Sequence, residues 1–344
     1  MKYPRNKPFI GFEEEYAVLR VMTSGQLQRG EVVNEFEKKF AEYTGKKHAI
    51  AVSSCTTGLQ LAVECIVRNE LGASRCVGVP DYTFFATGNV VHNLNLLEKV
   101  FDIDLDTYNM VIPEKDKKKC DIVIPVHCFG NPCILPKGKY YVIEDAACAV
   151  GSDGVGYGDI QVYSFHGLKV ITTGLGGMIT TNNKKWATWM RKKASHGKPD
   201  FKDSGYNYDI SNLNAAIGIE QLKKLPYILE RRRFLAKRYD KMLKGYCKPQ
   251  VTNGSNYQSY VVRVPKEYRD KIIDYLRDND IDAQIGTYSM TMVDRFRGKC
   301  LNGNRLYLEQ ICLPLYPQMS EDDQDYIIRK FIEVWRKNNG NKKT

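Results

Sequence analysis

Seven short apolar runs, rich in Val and Ile, punctuate the first half of the chain. They cover residues 48–53 (HAIAVS), 75–80 (RCVGVP), 99–104 (KVFDID), 121–126 (DIVIPV), 140–145 (YYVIED), 161–165 (QVYSF) and 177–181 (GMITT). Near-continuous apolar runs of this kind suit strands buried on both faces. Helical spacing separates several of them, as over 57–71 and 83–94. Alternating strand and helix predicts a parallel-dominated sheet in an α/β domain. One connection is lean: residues 127–139 (HCFGNPCILPKGK) carry two prolines and two glycines. Proline removes a helix donor and restricts its predecessor, so this stretch reads as loop. Parallel crossovers usually carry a helix. Either this one runs bare, or something else covers part of a sheet face.

After Trp186 the pattern turns helical. Residues 213–222 (LNAAIGIEQL) and 225–243 read as helices, the second with Pro226 in its first turn, where a missing N–H costs little. A smaller unit follows from about residue 244. Residues 257–264 alternate like a strand, and 266–279 and 321–337 read as helices, the last opened by Ser320-x-x-Asp323, which resembles a capping box.

Composition narrows the classes. The 344 residues predict about two domains. With 43% hydrophobic and 26% charged residues the chain can bury a core, which excludes a mainly disordered protein. No run approaches the roughly 18 apolar residues of a membrane span. The N-terminus has no apolar segment ahead of Glu13–Glu15, so no secretory leader is expected. Ten scattered cysteines without a CxxC pair predict reduced thiols, a cytoplasmic setting and no metal site. The net charge of +11 is partly local, at Lys115 and Lys117–Lys119, at Arg231–Arg233 and in a tail over 338–344. Such charge attracts nucleic acid, acidic membranes or anionic metabolites. It reads equally as a solvated face.

Three sites carry candidate chemistry. Ser53-Ser54-Cys55-Thr56-Thr57-Gly58 follows a buried strand and opens a helix, where N–H groups and hydroxyls favour a phosphate. The same residues also serve as ordinary caps. Glu144-Asp145 ends a buried run, at the sheet edge where α/β ligands bind. An acid there either keeps a heterocyclic nitrogen protonated or is structural. Lys169 follows Ser164-Phe165-His166-Gly167-Leu168 and precedes the Gly-rich 172–177. Burial would lower its pKa and leave a nucleophilic amine.

The order of phosphate cup, Asp and then Ser-x-x-x-x-Lys resembles pyridoxal-phosphate enzymes of the aspartate-aminotransferase-like fold (fold type I). The match is closer to the DegT/StrS family of sugar aminotransferases. It is carried further by Gly25–Gly30 with Phe36-Glu37, Pro80-x-x-Thr83-Phe84-x-Ala86-Thr87, Asp102-Ile103-Asp104-x-Asp106-Thr107 and Pro125-Val126-His127-x-x-Gly130-x-Pro132. Gly205-Tyr206-Asn207-Tyr208, Ala215-Ala216-Ile217-Gly218 and Leu313-Pro314-Leu315 complete it, in family order from about residue 10 to 335.

The resemblance implies a large cofactor-binding domain with an N-terminal arm over 1–243, a small α+β domain over 244–337 and the tail. It implies pyridoxal 5′-phosphate as cofactor. Lys169 would be the Schiff-base lysine and proton shuttle, and Asp145 the partner of the pyridinium nitrogen. Phe84 would stack on the ring. Ser54, Cys55, Thr56 and Ser164 would hold the phosphate, and Cys148 would face the cofactor. Asn207 would reach a neighbour's phosphate, making a homodimer with shared active sites. The implied reaction moves an amino group from glutamate to the ketone of a nucleotide-diphosphate keto-deoxysugar, giving a nucleotide amino sugar.

Departures concern mainly the substrate side. Cys55 stands where Gly is usual, Cys148 where Gln or His is usual, and Asp209 where a basic residue is frequent. A Trp is missing at Gln26, and a His is missing near Tyr288–Met292. The dehydratase branch replaces the lysine by histidine, so Lys169 argues against it, although His166 is close. Two other readings stand beside the aminotransferase: a non-catalytic basic binding or regulatory protein on the same fold, and an aminotransferase for another phosphorylated carbonyl compound. His127 reads as a site residue or as a structural hydrogen-bonding group, and Trp186 and Trp189 as packing.

Overall fold

In the computed structural model, residues 1–71, 75–293 and 296–339 are described, so most of the tail expected at 338–344 lies outside the described residues. Two helices that the apolar pattern did not single out come first, α1 (Phe12–Ser24) and α2 (Glu31–Thr44). Then follow β1 (His48–Val52), α3 (Cys55–Glu70), β2 (Cys76–Pro80), β3 (Tyr82–Thr83), α4 (Ala86–Asn93), β4 (Leu97–Phe101), β5 (Ile122–Val123), β6 (Tyr141–Ala146), β7 (Ile160–Ser164), β8 (Gly177–Thr181) and α5 (Lys184–Ala194). The remainder is α6 (Asn212–Met242), β9 (Lys248–Pro249), β10 (Tyr260–Arg263), α7 (Lys266–Asp278), β11 (Tyr288–Ser289), α8 (Leu301–Glu309), β12 (Gln310–Leu313) and α9 (Glu321–Asn339).

The main sheet has the order β1-β8-β7-β6-β5-β2-β4. Strand β8 runs antiparallel to both its neighbours, and the pairs from β7 to β4 are parallel. The fold is therefore α/β with a mostly parallel sheet, as the strand–helix alternation predicts. Alternate side chains on each strand serve opposite faces. On β1, Ile50 and Val52 join Leu59, Val63 and Ile66 of α3 on one face. Ala49 and Ala51 join Phe36 and Phe40 of α2 on the other.

The lean connection is indeed a bare loop. Between β5 and β6 the chain makes only a 3-10 turn, Cys128–Gly130. The uncovered face is packed from elsewhere. Cys128 and Phe129 from that loop cluster with Tyr82 and Tyr108, and with Val261, Leu306 and Cys312 from the C-terminal part. That part has its own three-stranded sheet, β12-β10-β9. Its core includes Trp335 and Phe331 of α9, and it takes in Tyr3 from the N-terminus.

Three expectations need correction. The two helices read over 213–222 and 225–243 are one continuous helix, α6, with Pro226 in its interior. A proline there costs roughly 3 kcal/mol in isolation. Packing offsets it, because Leu225, Ile228 and Leu229 join one core and Leu235, Ala236 and Tyr239 the next. The predicted helix over 83–94 starts only at Ala86, because Tyr82 and Thr83 pair with Ser289 and Tyr288. The Arg231–Arg233 triplet is not a free basic face. Arg231 donates to the carbonyls of Pro317 and Met319, Arg232 is fully buried, and Arg233 holds the carbonyls of Ser255 and Gly151. Lys99, Lys117 and Lys119 likewise pair with Asp116 or Glu114. The Ser320–Asp323 box forms as expected, with Asp323 N–H donating to Ser320 Oγ at 3.1 Å.

Glu37 ties the end of β1 to two elements. Its carboxylate receives the Ala51 N–H (2.8 Å), Arg29 (2.6 Å) and Arg191 (2.5 Å). Glu37→Gln removes the counter-charge of Arg191 and leaves Arg29 only Asp209 at 3.5 Å. The expected loss is about 3 kcal/mol in a urea unfolding curve at pH 7. Arg191 is 42% exposed and can regain water, which holds the loss near that lower end of the buried-pair range.

Candidate active site

The candidate residues converge at the edge where β1, β6 and β7 end. Ser54 is the N-cap of α3: its hydroxyl accepts the Thr57 N–H at 3.1 Å, while Thr57 Oγ1 accepts the Ser54 N–H at 3.1 Å. Capping and anion binding coexist here, because the N–H groups of Cys55 and Thr56 lie in the first turn, which lacks intrahelical acceptors. Thr56 is exposed. Strand β8 presses against this helix start. A Cβ on Gly177 would lie 2.6 Å from Ser54 C and 2.7 Å from Cys55 N, so only glycine fits. Gly177 also pairs with Ser164, which brings that buried serine to the same place.

The Cys55 thiol turns inward. Its Sγ lies 3.7 Å from the Val162 carbonyl and 4.0 Å from Asp145 Oδ1. Burial pushes the thiol well above its usual pKa, so it is a neutral group. Cys55 thus offers the helix start its N–H while its side chain fills space beneath Asp145.

Glu144 and Asp145 are consecutive on β6 and so face opposite ways. Glu144 is fully buried and accepts from His127 Nε2 (2.8 Å), the Gly156 and Gly158 N–H groups (3.0 and 2.5 Å) and Gln161 Nε2 (2.9 Å). His127 Nδ1 accepts the Cys133 N–H at 2.8 Å, so the imidazole proton sits on Nε2. His127 is therefore a structural hydrogen-bonding group. Burial opposes ionisation of Glu144, yet His127 and the two N–H donors outweigh it and hold its carboxyl below the ordinary value of 4.5. Asp145 has fewer donors: the Thr87 hydroxyl at 2.8 Å and the Ala147 N–H at 3.1 Å. Burial dominates there and pushes its carboxyl up. One acid is structural, and the other has no direct ion-pair partner among the described residues, Lys169 acting on it only from a distance.

Thr87 also fixes Phe84. Its N–H donates to the Phe84 carbonyl, and its hydroxyl lies 3.1 Å from Thr83 Oγ1. Phe84 is 65% exposed, an aromatic ring left open at the start of α4.

Lys169 lies on the turn that joins β7 to β8. That turn is built from local bonds: Thr172 Oγ1 donates to the Phe165 carbonyl, and the Lys169 N–H to that of His166. The half-buried amine donates to Cys148 Sγ at 3.1 Å. The expected lowering of its pKa is corrected. Burial alone pushes the ammonium down, but the Cys148 hydrogen bond and the charge of Asp145 act against it, and the net direction is up. His166 is exposed, its Nδ1 accepting the Leu168 N–H at 3.3 Å, so it does not replace the lysine here.

Asn207 stands apart. It is exposed and bridges Ser195 through its backbone, between the stacked rings of Tyr206 and Tyr208. The adjoining Tyr208 carbonyl accepts the Ser53 N–H at 2.8 Å. Asp209 has local partners, Arg29 at 3.5 Å and Ser195 Oγ at 2.5 Å, which account for an acid at that position.

Reading by residue type missed three contributors. Thr87 stands in the quoted Thr83–Thr87 run but was given no role. Asn256 precedes and Gln258 falls within the stretch 257–264 read as a strand, whose ladder begins only at Tyr260, and they hold the Cys148 and Leu168 carbonyls. No local motif marks them. Among the described residues no cluster suits a metal ion, and no helix is long and apolar enough to cross a membrane.

The sequence model of the DegT/DnrJ/EryC1/StrS aminotransferase family matches residues 8–332. The chain is 31% identical to the uncharacterized protein MJ1066 of Methanocaldococcus jannaschii, over 93% of this chain and 94% of that protein. Among solved structures it is similar to the aminotransferase TlmJ from Streptoalloteichus hindustanus, with a TM-score of 0.90, 28% identity, and coverage of 98% and 99%. It is similar in fold to Helicobacter pylori PseC, an aminotransferase involved in the biosynthesis of pseudoaminic acid, with a TM-score of 0.90, 24% identity, and coverage of 97% and 99%.

The two carboxylates predict opposite responses to acid. A folded pKa below the ordinary value makes Glu144 stabilising above about pH 4.5, and that contribution is lost as pH falls through the folded value. Glu144→Gln is therefore expected to cost about 3 kcal/mol at pH 7, with the gap to wild type closing below pH 4.5 in pH-dependent urea unfolding.

Proposed function

Because the chain belongs to the DegT/DnrJ/EryC1/StrS aminotransferase family, we propose that the edge built by Ser54, Asp145 and Lys169 is its pyridoxal-phosphate site and that it aminates a nucleotide-linked keto sugar. The carrying observation is the convergence of a glycine-backed helix start, a buried acid short of positive charge and a lysine amine, from three separate parts of the sheet edge.

The residues present fit the cofactor. The N–H groups of Cys55 and Thr56, with the hydroxyls of Ser54 and Ser164, would hold its phosphate. Phe84 would lie against its ring, and Asp145 would receive the charged ring nitrogen, which supplies a direct ion-pair partner. Lys169 would bind it covalently. When bound, the cofactor supplies an aldehyde that accepts the amino group and a ring that withdraws electrons.

The chain's own groups then do the following. Asp145, held by Thr87 and Ala147, would pair with that nitrogen and so keep it protonated. The Lys169 amine carries a proton to and from the reacting carbon. Glutamate is the proposed amino donor. The acceptor is proposed as a nucleotide-diphosphate keto-deoxysugar, in keeping with a basic chain of net charge +11 and a ring-bearing mouth. We further propose a homodimer in which Asn207, exposed and pinned by its backbone, serves the neighbouring site. Ten free thiols suit a reducing, cytoplasmic setting.

The test is the visible spectrum of protein loaded with pyridoxal phosphate. The wild type is expected to be yellow and to bleach with glutamate. Lys169→Ala is expected to lose the band, and Asp145→Ala to lose about 100-fold or more in the glutamate half-reaction. A protein that takes up no cofactor contradicts the reading and leaves the basic binding protein to be tested by salt-dependent nucleic-acid binding.

A further inference from the structure

Arg232 is a buried charge that the proposed reaction does not use. It is 0% exposed in the middle of α6. Its Nη1 donates to the carbonyls of Tyr257 (3.1 Å), Gln258 (3.2 Å) and Leu315 (3.0 Å), and its Nη2 to Asn6 Oδ1 (2.5 Å). Among the described residues no carboxylate pairs with it. A guanidinium whose two terminal nitrogens donate to oxygens in this way, its Nε left unpaired, fixes backbone, since its planar fork can hold several acceptors at once.

The backbone it fixes is the stretch 255–258. Arg233, next on the helix, holds the Ser255 carbonyl at 3.2 Å. Tyr257 has φ +50°, a left-handed conformation that bulky side chains seldom adopt and that persists only when its surroundings impose it. Arg232 grips the carbonyls of the two consecutive peptide units on either side of Gln258, those of Tyr257 and of Gln258 itself. The Gln258 N–H is turned onto Asn256 Oδ1 at 2.8 Å.

That stretch reaches both loops that bear the lysine–cysteine contact. Asn256 Nδ2 donates to the carbonyls of Cys148 and Val150, each at 2.8 Å. Gln258 Nε2 donates to the Leu168 carbonyl at 2.9 Å, one peptide from Lys169. Asn256 is 0% and Gln258 8% exposed. Its seat is tight: a Cβ on Gly130 would lie 1.8 Å from Asn256 Oδ1. Lys169 and Cys148 thus come from different connections, and one segment of the C-terminal part holds both backbones.

We propose that residues 255–258 form a strap, locked by Arg232, whose Asn256 and Gln258 are positioning residues that set the distance between Lys169 Nζ and Cys148 Sγ. Their effect reaches the chemistry through that pair. A lysine amine 3.1 Å from a sulfur donates a hydrogen bond to it, so a change of spacing changes the surroundings of both the nitrogen and the thiol. The inference rests on the reading of Lys169 as the cofactor-bearing residue.

The test compares Gln258→Met, which keeps the shape without the N–H donor, with Gln258→His, which keeps a donor. Two quantities are read: the pH midpoint of the visible band in cofactor-loaded protein, and the rate at which iodoacetamide alkylates Cys148 in cofactor-free protein, followed by peptide mass spectrometry. Gln258→Met is expected to move the midpoint by about half a pH unit or more and the alkylation rate by about threefold or more. Gln258→His is expected to stay near wild type. Arg231→Met, a variant on the same helix whose contacts are Pro317 and Met319, is expected to lower thermal stability while moving neither quantity. A folded Gln258→Met with wild-type midpoint and wild-type alkylation overturns the proposal. If Gln258→Met does not fold, Gln258→Glu, which turns the donor into an acceptor facing the Leu168 carbonyl, is read in the same way. If wild type binds no cofactor, the functional reading fails, and the alkylation arm alone still decides the strap.

Discussion

The arrangement depends on how strand β6 ends. A strand presents consecutive side chains to opposite faces, so Glu144 and Asp145 cannot share an environment. Glu144 enters a nest of four donors and is held ionised. Asp145 enters a pocket with two close donors and a distant thiol, and its charge is left partly uncompensated. The first acid anchors the bare connections on either side of β6, through His127 before it and Gly156 and Gly158 after it. With those connections held, loops without helices suffice to close that part of the sheet. The second acid is then presented at the sheet edge as a fixed, poorly solvated carboxylate, which is what a cationic heterocycle requires.

The other groups are brought to Asp145 by contacts that only particular residues allow. Gly177 lets β8 touch the start of α3. Thr87 ties Phe84 to the acid. Glu37 ties the last residues of β1 to Arg29 and Arg191. The C-terminal part does more than cover a sheet face: through Asn256 and Gln258 it reaches the backbones beside Cys148 and Lys169. The lysine is therefore held from two parts of the chain.

Much of this was legible in the sequence because buried parallel strands announce themselves as apolar runs. The run 99–104 overshoots β4, which ends at Phe101, because Asp102 to Asp104 continue it outside the ladder, and the run 121–126 overshoots β5, which ends at Val123, because Ile124 and Val126 keep it apolar. Helix α1 is hard to read because its exposed apolar residues, Phe12, Tyr16, Leu19 and Met22, blur the amphipathic stripe, whereas α2 carries a plain one in Val33, Phe36 and Phe40. Pro226 suggested a boundary inside α6 because propensity is local, whereas two cores pack along that helix. The arginine triplet looked like surface charge because a sequence does not show which carbonyls will fold around it. The lysine, the acid and the helix start were legible because motif order carries them. The upward direction of the Lys169 pKa was not, since it depends on sulfur atoms from other loops, Cys148 above all.

The central claim is that Lys169 is the residue that carries the cofactor. Borohydride reduction of pyridoxal-phosphate-loaded protein, followed by digestion and peptide mass spectrometry, tests it most directly. The account predicts a single phosphopyridoxyl adduct on the peptide containing Lys169. Labelling of another lysine, or of none, would contradict it.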